Sequence, residues 1–118
     1  MGEHIKPVLS YLARNLREKD VIHVYYGARL AFKFYAPRCG LARADYSVSV
    51  KAPDEPGRYL AAIDALKGRG RVWFVFSHNC SRCLVDEEVY IIGHLNHFGH
   101  MIDSHTAEGA AVYLYDLK

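Results

Sequence analysis

The chain has 118 residues, 51% apolar and 24% charged, which suits one soluble globular domain with a single core. Its net charge of +2 is small and its basic residues are scattered, so nucleic acid is not expected as a partner. No window approaches the roughly 18 apolar residues of a membrane span, Met1–Lys6 is too short and polar for a signal peptide, and three cysteines are too few for a disulfide framework.

Taken in chain order, Pro7 suits the first turn of a helix whose apolar face is Val8, Leu9, Leu12 and Leu16, with Arg14, Asn15 and Arg17 outward. Glu18-Lys19-Asp20 breaks that pattern and leads into a strand, Val21 to Tyr26, that is apolar on both faces. Gly27 permits a tight turn out of it, and a second helix follows with Leu30, Phe34 and Ala31 buried, stopped by Pro37. After a loop, Tyr46 to Val50 alternates as a short edge strand. Pro56 opens a third helix with Tyr59, Leu60, Ile63 and Leu66 inward, ended by Gly68-Arg69-Gly70. Val72 to Phe76 is the most hydrophobic run and is expected at the sheet centre. A fourth helix carries Val85, Val89, Ile92 and Leu95 and closes at Gly99. Two strands, about His100–Thr106 and Ala110–Leu117, are joined by Ala107-Glu108-Gly109, a connection short enough to make a hairpin.

Strands apolar on both faces, alternating with helices, indicate a parallel sheet covered on two sides. The expected fold is α/β over residues 1–118: a three-layer, Rossmann-like α/β/α sandwich. Three parallel strands in the order 2-1-3, set by right-handed crossovers, stand beside a C-terminal β-hairpin in a mixed five-stranded sheet.

In open parallel sheets ligands bind beyond the carboxyl ends of the strands. Here that edge carries Tyr25, Tyr26 and Gly27 beside Ser77, His78 and Asn79. Neither turn has the glycine spacing that admits a pyrophosphate, and turn or capping roles account for the same residue types. Cys80-Ser81-Arg82-Cys83 follows a strand and begins a helix, a setting that lowers a thiol's pKa and serves thiol–disulfide exchange. No proline follows Pro56 to supply the cis-proline of thioredoxin-type enzymes. Zinc is the alternative, with His78, Cys80 and Cys83 as ligands and a fourth from His94, His97, His100 or His105. Against it stands the single close ligand pair, so no cofactor is assigned. Cys39 is expected near the far end of helix two, which leaves Cys80–Cys83 as the favoured pair for any disulfide. Asp20 reads as the top of a turn, and Lys67, Arg69 and Arg71 lie with Arg17 and Lys19 as a basic rim at the amino edge.

Three stretches carry a resemblance: VLSYLARNLREKDVIHVYYGARLAFKFYAP with its D-x-I-x-V-Y-Y-G-A core, GRVWFVFSH, and the terminal GAAVYLYDL. Together they look like the soluble C-terminal domain of multispanning glycosyltransferases of the protein O-mannosyltransferase type. The resemblance implies an extracytoplasmic, periplasmic or extracellular domain that follows the last membrane span. Its parent enzyme would transfer a sugar from a polyprenyl-phosphate carrier, with catalysis in a membrane-proximal loop that this chain does not contain. The domain itself would be non-catalytic, acting in acceptor recognition or enzyme assembly. Its partners would be the membrane-embedded part of the same enzyme and an acceptor or lipid-linked sugar. A span before Pro7 would start helix one at the carboxyl edge and turn Tyr25, Tyr26, Ser77 and His78 toward that part. The Cys80–Cys83 pair departs from the family pattern. It keeps open a free-standing thiol–disulfide or zinc-binding protein built on Cys80, Cys83 and His78.

Overall fold

The computed structural model describes residues 5–49, 57–77 and 85–118, with the backbone alone for 85–87. In chain order the elements are α1 (Ile5–Asn15), β1 (Val21–Val24), a 3-10 turn (Tyr26–Ala28), α2 (Arg29–Tyr35), a second 3-10 turn (Ala36–Cys39) and β2 (Ser47–Val48). They continue with α3 (Gly57–Asp64), β3 (Arg71–Ser77), α4 (Val85–Phe98), β4 (His100–Ala107) and β5 (Ala110–Asp116).

One sheet holds all five strands in the order β2-β1-β3-β5-β4. β1 pairs in parallel with β2 (His23 opposite Ser47) and with β3 (Val24 opposite Val75). β5 runs antiparallel to β3 with Phe74 opposite Tyr113, and β4 pairs antiparallel with β5. The parallel 2-1-3 core and the hairpin beside strand three are therefore as the sequence pattern predicts. Glu108 and Gly109 alone make the hairpin turn, with Gly109 at φ 79°, a left-handed conformation that glycine adopts without a Cβ penalty.

Period-two alternation divides β3 between two cores. Trp73 and Val75 face α1 and α2, together with Ile22, Val24, Val112 and Leu114. Val72, Phe74 and Phe76 face α3 and α4, together with Tyr25, Tyr115 and Leu117. Trp73, Tyr115, Phe32, Phe74 and Phe76 are the largest fully buried side chains. Each contributes about 1.5–3 kcal/mol by leaving water, which makes β3 and its neighbours the chief source of stability.

α1 buries Ile5, Val8, Leu9 and Leu12. It already includes Ile5, so Pro7 lies inside its first turn. α3 buries Tyr59 and Ile63, and the following turn buries Leu66, whereas Leu60 is half-buried. Gly68 N–H donates to Leu117 O at 2.7 Å and Leu117 N–H to Gly70 O at 2.8 Å, which fastens the exit of α3 to the end of the hairpin.

Three expectations need correction. β1 ends at Val24, two residues short of Tyr26, and the tight turn that leaves it is a right-handed 3-10 turn of Tyr26, Gly27 and Ala28. In α2 the buried residues are Ala31 and Phe32, while Leu30 and Phe34 are 64% and 53% exposed. The 3-10 turn delivers the chain to α2 in a phase that turns Ala28, Ala31 and Phe32 inward. Arg38 lies over the Phe34 ring at 4.1 Å and covers part of what is left outside. In α4, Ile91 and Leu95 are buried while Val89 is 67% exposed and Ile92 half-buried. Leu95 is thus buried as expected, Ile91 takes the place of Val89 beside it, and Ile92 packs at the margin of the core; the Val85 side chain lies outside the described residues.

Candidate functional site

At the carboxyl edge the chain leaves β1 through Tyr25, still extended (φ −60°, ψ 142°) and tied by its N–H to Val75 O at 2.9 Å. Its ring turns inward, 4% exposed, against Phe76 at 5.6 Å and Tyr59 at 5.8 Å between centroids. Tyr25 is therefore a core residue at the rim. Tyr26 follows with its ring half-buried and the Arg29 guanidinium stacked on it at 3.9 Å. Arg29 Nη1 also donates to Tyr26 O at 3.2 Å, so charge and ring are held together. Ser49 closes the neighbouring side: its Oγ accepts from Tyr26 N–H at 2.7 Å and its own N–H donates to Val24 O at 3.0 Å.

Ser77 ends β3 opposite Ala110 and is 2% exposed, so it belongs to the sheet and not to an open surface. Of the six residues expected at this edge, Tyr25, Tyr26 and Gly27 are adjacent on one turn, and Ser77 stands on the neighbouring strand. His78 and Asn79 lie outside the described residues, as do Cys80 and Cys83. Two of the histidines considered as a fourth zinc ligand stand on opposite faces of the sheet. His94 Nε2 meets Asp64 Oδ1 of α3 at 2.8 Å, while His105 stacks on Tyr11 of α1 at 4.5 Å. Cys39 is a half-buried free thiol with Sγ 3.9 Å from Lys6 O.

Sequence reasoning missed His23, in the middle of β1 and 7% exposed. Its Nδ1 lies 2.8 Å from Ser47 Oγ across the β1–β2 pair, and Phe74 meets the ring edge-on at 5.9 Å. Burial pushes its pKa down to about 4, so the imidazole is neutral near pH 7. The signal was available: a strand apolar on both faces has no wet position for a histidine. Beneath Tyr25 and beside His23 and Ser49 is a cavity of about 10 Å³, the room of a single water. Aromatic side chains fill the carboxyl edge from below. At its rim stand Tyr26 and Arg29, both half-buried, with the guanidinium stacked on the ring.

The amino edge also differs from expectation. Asp20 closes the turn from Arg17, its N–H donating to Arg17 O at 3.0 Å, and its carboxylate, 2% exposed, is the centre of a network. It accepts from Arg71 Nε at 2.8 Å, Arg71 Nη2 at 3.1 Å, Trp73 Nε1 at 2.9 Å and the Arg17 N–H at 2.9 Å. Burial by itself would raise its pKa, but these donors outweigh burial and hold it below the usual 3.8. Lys67, assigned to the same rim, instead pairs with Asp64 at 3.6 Å and sits over the Phe98 ring.

No protein family, curated protein or solved structure compared with the chain matches it. No helix among the described residues is long and apolar enough to cross a membrane.

Proposed function

We propose that this chain is a non-catalytic accessory domain of a membrane glycosyltransferase that takes its sugar from a polyprenyl-phosphate carrier. The domain presents its carboxyl edge to the acceptor or to the membrane-embedded part of the same enzyme, on the extracytoplasmic side. The observation that carries this reading is the Tyr26–Arg29 pair, an aromatic ring with a guanidinium fixed on it at 3.9 Å, at the carboxyl edge where open parallel sheets take their ligands. A guanidinium held on an aromatic ring loses little freedom when it meets phosphate or hydroxyl oxygens. The sequence stretches of the resemblance support it from another side. In D-x-I-x-V-Y-Y-G-A, Asp20 anchors the amino edge, Ile22 and Val24 fill the core, and Tyr25 through Ala28 shape the edge turn.

The test is made on the protein in its native cells. Antiserum against the chain is used on soluble and membrane fractions, and a photo-crosslinking residue is placed at position 26. A membrane-bound polypeptide much longer than 118 residues, cross-linking to its own spanning part or to a glycan acceptor, is the expected result. A free chain of this length in the soluble fraction would overturn the reading.

A further inference from the structure

The opposite, amino edge of the sheet carries an open cleft of about 370 Å³, within the size range of small-molecule sites, and its argument does not depend on the reading above. Arg14 and Arg17, at and just beyond the end of α1, and Arg71, at the start of β3, all line it. Arg71 is no loose surface side chain. Asp20 holds its Nε and Nη2, Nη2 also lies 3.5 Å from Asn15 O, and Asp20 is fixed in turn by Trp73 and the Arg17 backbone. Nη1 has no acceptor among the described residues, and neither do the Arg14 and Arg17 guanidinium groups.

A guanidinium clamped from behind by a carboxylate and open in front is pre-organised for an oxyanion, because little side-chain freedom is lost on binding. Leu16 and Ile102 make an apolar wall. Asp103 stands beside them with one carboxylate oxygen bonded by the Tyr11 hydroxyl and the other by the Ser104 N–H. With Asp20 and Asp103 counted, arginines still outnumber carboxylates three to two. Three guanidinium groups around one cleft suit a tetrahedral dianion, which offers three oxygens, better than a carboxylate, which offers two.

We propose that this cleft binds the phosphate group of a phosphate monoester, carried either by a small soluble molecule or by a lipid headgroup. The chain contains a single tryptophan, Trp73, which lines the cleft and shares Asp20 with Arg71, so its fluorescence reports on the site.

The experiment titrates the protein with inorganic phosphate at constant ionic strength, following Trp73 fluorescence and the Arg71 Nε–H resonance. Expected is a saturable response with Kd of about 1 mM, a shift at Arg71 Nε, and binding weakened about tenfold or more in R14Q/R17Q. Both arginines are exposed, so that variant keeps the wild-type thermal midpoint. A response that does not saturate, or R14Q/R17Q binding at full strength, overturns the proposal. A second arm uses phosphatidylcholine vesicles with and without phosphatidic acid. Sedimentation with the phosphatidic acid vesicles, displaced by inorganic phosphate, supports the cleft with a lipid headgroup as the source. Saturable phosphate binding without sedimentation supports it with a soluble ester as the source.

Discussion

Asp20 shows how much one side chain can hold at the rim of a sheet. Its carboxylate is the common acceptor for Arg71, Trp73 and the Arg17 N–H, so removing it leaves Arg71 Nε and a buried indole N–H without an acceptor. Asp20→Ala is expected to cost about 3–5 kcal/mol, read from urea denaturation, and a loss below about 1 kcal/mol would show that water replaces the carboxylate freely. Because its folded-state pKa lies below the usual 3.8, its contribution is complete above that pH and is lost as pH falls through the folded value. His23 acts in a separate window. Burial lowers it from 6.5 to about 4, so below pH 6.5 the unfolded chain takes up the proton first. Stability then falls from pH 6.5 to about 4 by about 3 kcal/mol and levels off below that. Urea midpoints across this range should slope for the wild type and lie nearly flat for His23→Gln. An equal slope in both would place the titration elsewhere. Neither role was legible as a motif: Asp20 is a turn residue, as the sequence reads, and only the fold brings Trp73, 53 positions later, to its carboxylate.

Among the elements, strands were placed more surely than helix faces, because a strand that is apolar on both sides is buried whichever way it faces. Helix faces were ambiguous wherever two apolar stripes compete. In α2 the pair Leu30 and Phe34 competes with Ala28, Ala31 and Phe32; in α4 Val89 competes with Ile91 for the place beside Leu95. Each stripe satisfies the i, i+3, i+4 rule, and the turn entering the helix chooses between them. The α4–β4 corner gives a test at this scale. A Cβ on Gly99 would meet Leu117 Cδ2 at 2.6 Å and Leu95 O at 3.2 Å, whereas one on Gly93 would meet nothing within 4 Å. Gly99→Ala should therefore lower stability by about 1–3 kcal/mol, and Gly93→Ala should raise it by about 0.5–1 kcal/mol. Thermal melts of the two variants compare these opposite signs directly.

At the scale of the whole molecule, β3 divides the interior into two packed layers that share only the sheet. Leu12 lies in the α1–α2 layer and Ile63 in the α3–α4 layer, both fully buried. Each replacement by alanine is expected to cost about 2–5 kcal/mol, and the two together should add to within about 0.5 kcal/mol. A larger deviation in urea denaturation would mean that the layers communicate through β3. The structure decided that β5 and not β4 pairs with β3. The 2-1-3 order and a hairpin beside strand three followed from sequence alone, from apolar runs alternating with helices, right-handed crossovers and a short hairpin connection. Those are local or nearest-neighbour constraints, and local chemistry is written in consecutive residues. The tertiary structure alone decided which stripe of α2 and α4 is buried. It also brought Asp20 to Trp73 and Arg71, and it set Tyr26 half-buried under Arg29 while Tyr25 turned inward. Each of these depends on contacts between distant segments or on the exact phase of a turn, and neither is recorded in the spacing of residues along the chain.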